Sequence, residues 1–106
     1  VNLFKLLVAA AELQERRGSR ADVLLTESGN FHTDIYIADG VARLTGLRLE
    51  AVPRAEIERR IGADTAILLL THVHYKTAER FDMAALTARA RDAGALTVWD
   101  LSHSVG

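Results

Sequence analysis

One hundred and six residues match the length of one small domain, and 49% hydrophobic with 25% charged residues is the balance of a globular chain able to bury a core. A formal net charge of -1, with Lys and Arg scattered, leaves no basic field for nucleic acid or anionic lipid. The lack of cysteine removes disulfides, thiolate metal sites and thiol nucleophiles together, and no apolar run approaches the ~18 residues of a membrane helix.

From Asn2 to Arg17, Leu3, Leu6, Leu7, Ala10 and Leu13 recur at three- and four-residue steps, which predicts an amphipathic helix with Glu12, Gln14, Glu15 and Arg16 on its other side and Gly18 as its stop. Ala21 to Thr26 reads as a short buried strand and Glu27 to Asn30 as a loop. Helical spacing returns from Phe31 to Leu44 through Ile35, Ala38, Val41, Ala42 and Leu44, closed by Gly46. Leu47 to Val52 is a predicted strand. Pro53 opens a short helix over Arg54 to Ile61 that ends at Gly62. Ile67 to Thr71 is the most apolar strand. After a polar loop, Asp82 caps a helix from Met83 to Asp92 stopped by Gly94, and Ala95 to Trp99 is the last strand. Strands alternating with helices over short connections call for βαβ units: an α/β fold with a mainly parallel sheet in three α/β/α layers. The chain opens on Val1 already in helical pattern and stops at Gly106 just after a strand, so both ends are expected to lie inside a longer domain.

Chemistry-bearing residues gather at predicted strand ends. In an open α/β sheet, ligands bind outside the carboxyl ends of the strands, which makes Asp100 a site candidate; a solvated or capping Asp is the plain alternative. The block Phe31-His-Thr-Asp34 opens a helix and combines an aromatic face, a hydroxyl and a carboxylate near free backbone N–H groups, or is simply a capped helix start. His72 and His74 share one strand face and could hold a metal. Asp100 and His103, three residues apart, either share a ligand or bond each other. Trp99 must face away from Asp100, into the core.

The blocks Val1–Lys5, Asn30–Gly40, Leu70–Thr77, Asp82–Leu86 and Trp99–Gly106, taken in order, resemble the kynureninases. The resemblance implies the large domain of a fold-type I pyridoxal-phosphate enzyme, residues 1–106 being part of that cofactor-binding domain. It implies a cytoplasmic homodimer of tryptophan catabolism that hydrolyses L-kynurenine, or 3-hydroxykynurenine, to anthranilate, or 3-hydroxyanthranilate, and L-alanine, without nucleic-acid or membrane partners. Asp100 matches the acid that meets the pyridine nitrogen of the cofactor. Phe31 matches the ring-stacking aromatic, Thr33 a cofactor contact, Asp34 a second acid near the ring nitrogen, Thr71 a cofactor-site hydroxyl and His103 a cofactor-site imidazole. His32 falls in the same cofactor-binding block but stands where the family usually has Pro, so the turn loses a fixed φ. His74 and Ala78 depart from the family's frequent Asn and Gly. The family's Schiff-base Lys is expected beyond Gly106; Lys5 and Lys76 do not match it, so no catalytic residue and no metal ligand is assigned within the chain. Two rivals are a related pyridoxal-phosphate enzyme, such as a cysteine desulfurase or selenocysteine lyase, and a metal-dependent hydrolase using His72, His74 and Asp100 or His103. A non-catalytic interaction module is the third.

Overall fold

The computed structural model describes residues 3–29, 32–71 and 83–100. Eight regular elements follow in the alternating order that the hydrophobic pattern predicts: α1 (Leu3–Arg16), β1 (Val23–Glu27), α2 (His32–Thr45), β2 (Arg48–Val52), α3 (Ile57–Arg60), β3 (Thr65–Thr71), α4 (Met83–Asp92) and β4 (Leu96–Asp100). The predicted helix over Arg54 to Ile61 is in fact a 3₁₀ turn, Arg54–Glu56, that runs into α3, and it ends because Ile61 turns extended. The capping role expected of Asp82 lies outside the described residues.

All three strand pairings are parallel and the sheet order is β2-β1-β3-β4. The two central strands are covered on both faces, which is why β1 and β3 read as continuous apolar runs, whereas the edge strand β2 has no fully buried residue. Alternation along the strands sorts the core into two clusters. On one face Leu24, Ile67, Leu69 and Val98 meet Leu7 of α1 and Ala38 and Val41 of α2; on the other Val23, Leu25, Leu68 and Leu70 meet Ile57, Leu86 and Ala90 of α3 and α4. Trp99 packs against the second cluster, as expected of it, and its indole N–H donates to Thr87 Oγ1 at 3.3 Å.

One expectation fails on α1. Gln14, read as solvent-facing, is 3% exposed, whereas Leu6 and Leu13, read as core, are 42% and 46% exposed. At about 100° per residue, Leu3, Leu7, Ala10, Ala11 and Gln14 form one stripe, and Leu6 and Leu13 lie roughly a quarter-turn away. The buried stripe is the one that offers a partner to irregular backbone. Between Val23/Leu24 and Thr65/Ile67 the β1–β3 register shifts, leaving Ala66 as an extra residue on β3, ahead of the first β3–β4 pair at Ile67/Leu96. The Nε2 group of Gln14 donates to Ala66 O at 2.7 Å and to Gly94 O at 2.9 Å. Two buried or half-buried carbonyls are thereby satisfied by one side chain. On α2, Leu44 likewise departs from its expected core position and is 65% exposed, while Ala38, Val41 and Ala42 are buried.

Candidate functional site at the carboxyl edge of the sheet

The connections decide where a crevice opens. From β1 the chain crosses through α2 on one face to β2; from β3 it crosses through α4 on the other face to β4. The two crossovers leave in opposite directions from the adjacent strands β1 and β3, so a topological switch point lies between their carboxyl ends. Because α2 returns antiparallel to β1, its first turn stands at that same edge.

Three of the expected residues converge there. Asp34, in the first turn of α2, is 3% exposed. An acid in that turn also interacts favourably with the positive end of the helix. Thr71 ends β3 and Asp100 ends β4, and the two are register partners on neighbouring strands. Val98 belongs to the cluster beneath α1 and α2 and Trp99 to the opposite one, so the strand period returns half-buried Asp100 to the α1/α2 side, the side of Asp34. His32 and Thr33 open α2 at the same edge. Phe31 and His103 lie outside the described residues, as do His72, His74 and Lys76.

Thr26 is a residue that the motif reading passed over. It is wholly buried, and it follows Leu24 on the α1/α2 face of β1, one residue from the strand's carboxyl end. Nothing in a lone Thr at the end of an apolar run marks it; only the neighbouring helix start does. Lys5 is exposed on α1.

Elsewhere, a groove of about 620 Å³ lined by Ala11, Glu15, Ser19, Asp22, Thr45 and Leu47 lies between the carboxyl ends of α1 and α2, at the opposite edge of the sheet, and includes none of the expected residues. Among the described residues no group of three His, Cys, Asp or Glu side chains comes together as a metal site, and no helix is long and apolar enough to cross a membrane.

The charged residues with shifted protonation are also remote from the site. Arg60 holds Glu50 through Nε at 2.9 Å and Nη2 at 2.6 Å, and Asp64 through Nη1 and Nη2, each at 3.0 Å. These bonds hold both carboxyls below their usual range and raise the guanidinium further. Arg48 does the same to Asp22. This network braces the β2 edge and the amino ends of β1 and β3.

No family model matches the chain. Over its whole length it is 47% identical to a kynureninase from Pseudomonas fluorescens and 45% identical to a kynureninase from Deinococcus radiodurans. The chain spans 26% and 25% of those two relatives, about a quarter of their length. The kynureninase likeness of the five sequence blocks thus extends through the spacers between them. Among solved structures, the apo cysteine desulfurase from Thermococcus onnurineus NA1 superposes over 91% of the chain and 26% of its own, with a TM-score of 0.66 and 23% identity. A methionine gamma lyase from Micromonospora echinospora superposes over 89% of the chain and 25% of its own, with a TM-score of 0.58 and 22% identity. At that identity the likeness is one of fold, and it bears out the parallel α/β architecture.

Proposed function

We propose that this chain, kynureninase-like from end to end, is part of the cofactor-binding large domain of a kynureninase, which hydrolyses L-kynurenine or its 3-hydroxy form to anthranilate or 3-hydroxyanthranilate and L-alanine. The observation that carries the reading is 47% identity to a kynureninase over all of the chain. We extend it to a cytoplasmic homodimer in tryptophan breakdown, on the strength of the same family likeness.

The residues at the carboxyl edge fit pyridoxal phosphate. A half-buried Asp100 on the same side of the sheet as a buried Asp34 offers the carboxylate acceptor, and a second negative charge nearby, that suit a protonated pyridine nitrogen, since a carboxylate away from bulk water favours the charged form of a cation beside it. When bound, the cofactor supplies an electron sink for negative charge developed at the α-carbon of the substrate. Asp100 would accept the hydrogen bond of the pyridine N–H and hold that proton in place, with Asp34 adding a second negative charge. Thr33 and Thr71 would contribute hydroxyls, Phe31 a stacking face, His103 an imidazole, and His32 the helix entry that sets Phe31 and Thr33 apart.

The test is the whole protein that carries this chain, purified with pyridoxal phosphate and assayed for anthranilate release from L-kynurenine. Turnover by the wild type, with Asp100→Asn lowering kcat/KM by at least about a hundredfold, roughly 2.7 kcal/mol of transition-state stabilisation, is the expected result. Absence of turnover in the wild type, or near-normal kcat/KM in Asp100→Asn, would sink the reading.

A further inference from the structure

Gln14 stands at the far end of α1 from the candidate site, yet its bonds bear on the site's geometry. Its side chain donates to backbone at the entry of both strands of the β3–β4 pair: to the extra residue Ala66 at the start of β3, and to Gly94 in the turn that delivers β4. Ala66 sits at the register shift between β1 and β3, and Gly94 in the turn before β4, so the two bonds tie α1 to the points where both strands enter the sheet. From Gln14 back to Leu3 the helix rises ~16 Å, at 1.5 Å per residue. From Ala66 forward to Thr71 the strand also advances ~16 Å, at about 3.3 Å per residue. The amino end of α1 therefore comes level with Thr71 and Asp100, and Leu3 does pack on the cluster that holds Leu69 and Val98.

We propose that Gln14 is a positioning residue: by clamping α1 to Ala66 and Gly94 it sets the height of the helix's amino end beside Thr71 and Asp100. The inference rests on the reading of that edge as the cofactor site. The apolar contacts of Leu7, Ala10 and Ala11 are non-directional, whereas the two bonds of Gln14 are directional, so the bonds fix the height of the helix more sharply than its packing does. Loss of the clamp moves one wall of the site without touching any group in it.

The experiment uses the whole protein and pyridoxal phosphate itself, with affinity read from cofactor fluorescence and folding from the thermal midpoint. Gln14→Met keeps the volume and removes both donors. It is expected to raise the cofactor Kd about tenfold, as follows if only about a tenth of the unclamped molecules keep the helix at the height that binds. Ile57→Val, which thins the opposite core cluster, lowers the thermal midpoint and leaves that Kd unchanged. Gln14→Glu offers a second route that is independent of how well the Met variant folds. Its carboxylate opposes the two carbonyls, but a protonated carboxyl donates to one of them, so its Kd relative to wild type falls as the pH is lowered. Unchanged cofactor affinity in Gln14→Met with a lowered midpoint, or a pH-independent ratio for Gln14→Glu, overturns the proposal while the functional reading stands. A wild type that binds no cofactor overturns both.

Discussion

Asp34 serves two physical ends at once, and they make separable predictions. In the first turn of α2 its charge complements the helix dipole, an effect of about 0.3–1 kcal/mol, and at the switch-point edge it faces the side of the sheet that carries Asp100. If the dipole were its whole purpose, Asp34→Asn would lower only stability. The expected outcome is a small drop in thermal midpoint together with a fall of roughly tenfold or more in kcat/KM for L-kynurenine, about 1.4 kcal/mol. A variant with a lowered midpoint and unaltered kcat/KM would assign Asp34 to the helix alone. Thr26, wholly buried at the same edge, shares this position in the fold but offered no pattern in the sequence, since a hydroxyl beside three apolar residues looks like any strand end.

Among the elements, the turn between α4 and β4 carries the heaviest demand, because Asp100 is delivered by the strand that follows it. Gly94 takes φ +88°, where a side chain is strained even though a Cβ there would meet no atom within 4 Å. Gly94→Ala is therefore expected to cost about 1 kcal/mol, from conformation and not from a clash, read as a shift in the denaturant midpoint of the whole protein. An unchanged midpoint would mean that the turn relaxes to another conformation. The opposite case is Gly40 inside α2, whose Cβ would come 3.6 Å from a ring carbon of Phe4, an ordinary contact. The glycine is thus compatible with close packing of α1 on α2. The sequence marked Gly18, Gly46 and Gly94 as helix stops, and all three adopt positive φ; Gly62 was marked by the same rule and does not, since α3 has already ended at Arg60.

At the scale of the molecule, the ion-pair clusters that shift protonation lie at the edge of the sheet opposite the candidate site, whereas the Arg54–Glu27 pair, at 3.5 Å, lies at the carboxyl end of β1. The Arg60–Glu50–Asp64 and Arg48–Asp22 clusters lie around the β2 edge and the amino ends of the strands, away from the candidate site. Each of Asp22, Glu50 and Asp64 has its folded pKa below the unfolded value. Their contribution to stability is therefore complete above the ordinary carboxylate range of about 4 and is lost as the pH falls through the lower, folded values. Arg60→Gln should flatten that acid limb: the difference in thermal midpoint between wild type and variant is expected to shrink as the pH is lowered from 7 towards 3. A difference independent of pH would show that Arg60 acts by packing instead. The groups are too exposed for a large effect, and salt should reduce it further.

Periodicity and residue type, which act over a few neighbours, were enough to predict the alternation of helices and strands and the parallel three-layer sheet, and to mark Asp34 and Asp100 as candidates; the role expected of Thr71 came only from the likeness of five blocks to the kynureninases. What they could not decide is which of two apolar stripes on α1 faces inward. That choice belongs to a bulge in β3 and a turn before β4, whose carbonyls call for a donor and so draw Gln14 into the core in place of Leu6 and Leu13. The pairing of Thr71 with Asp100, and the approach of Asp34 to the same edge, are likewise products of strand order and crossover direction, interactions between residues distant in the chain that no local pattern encodes.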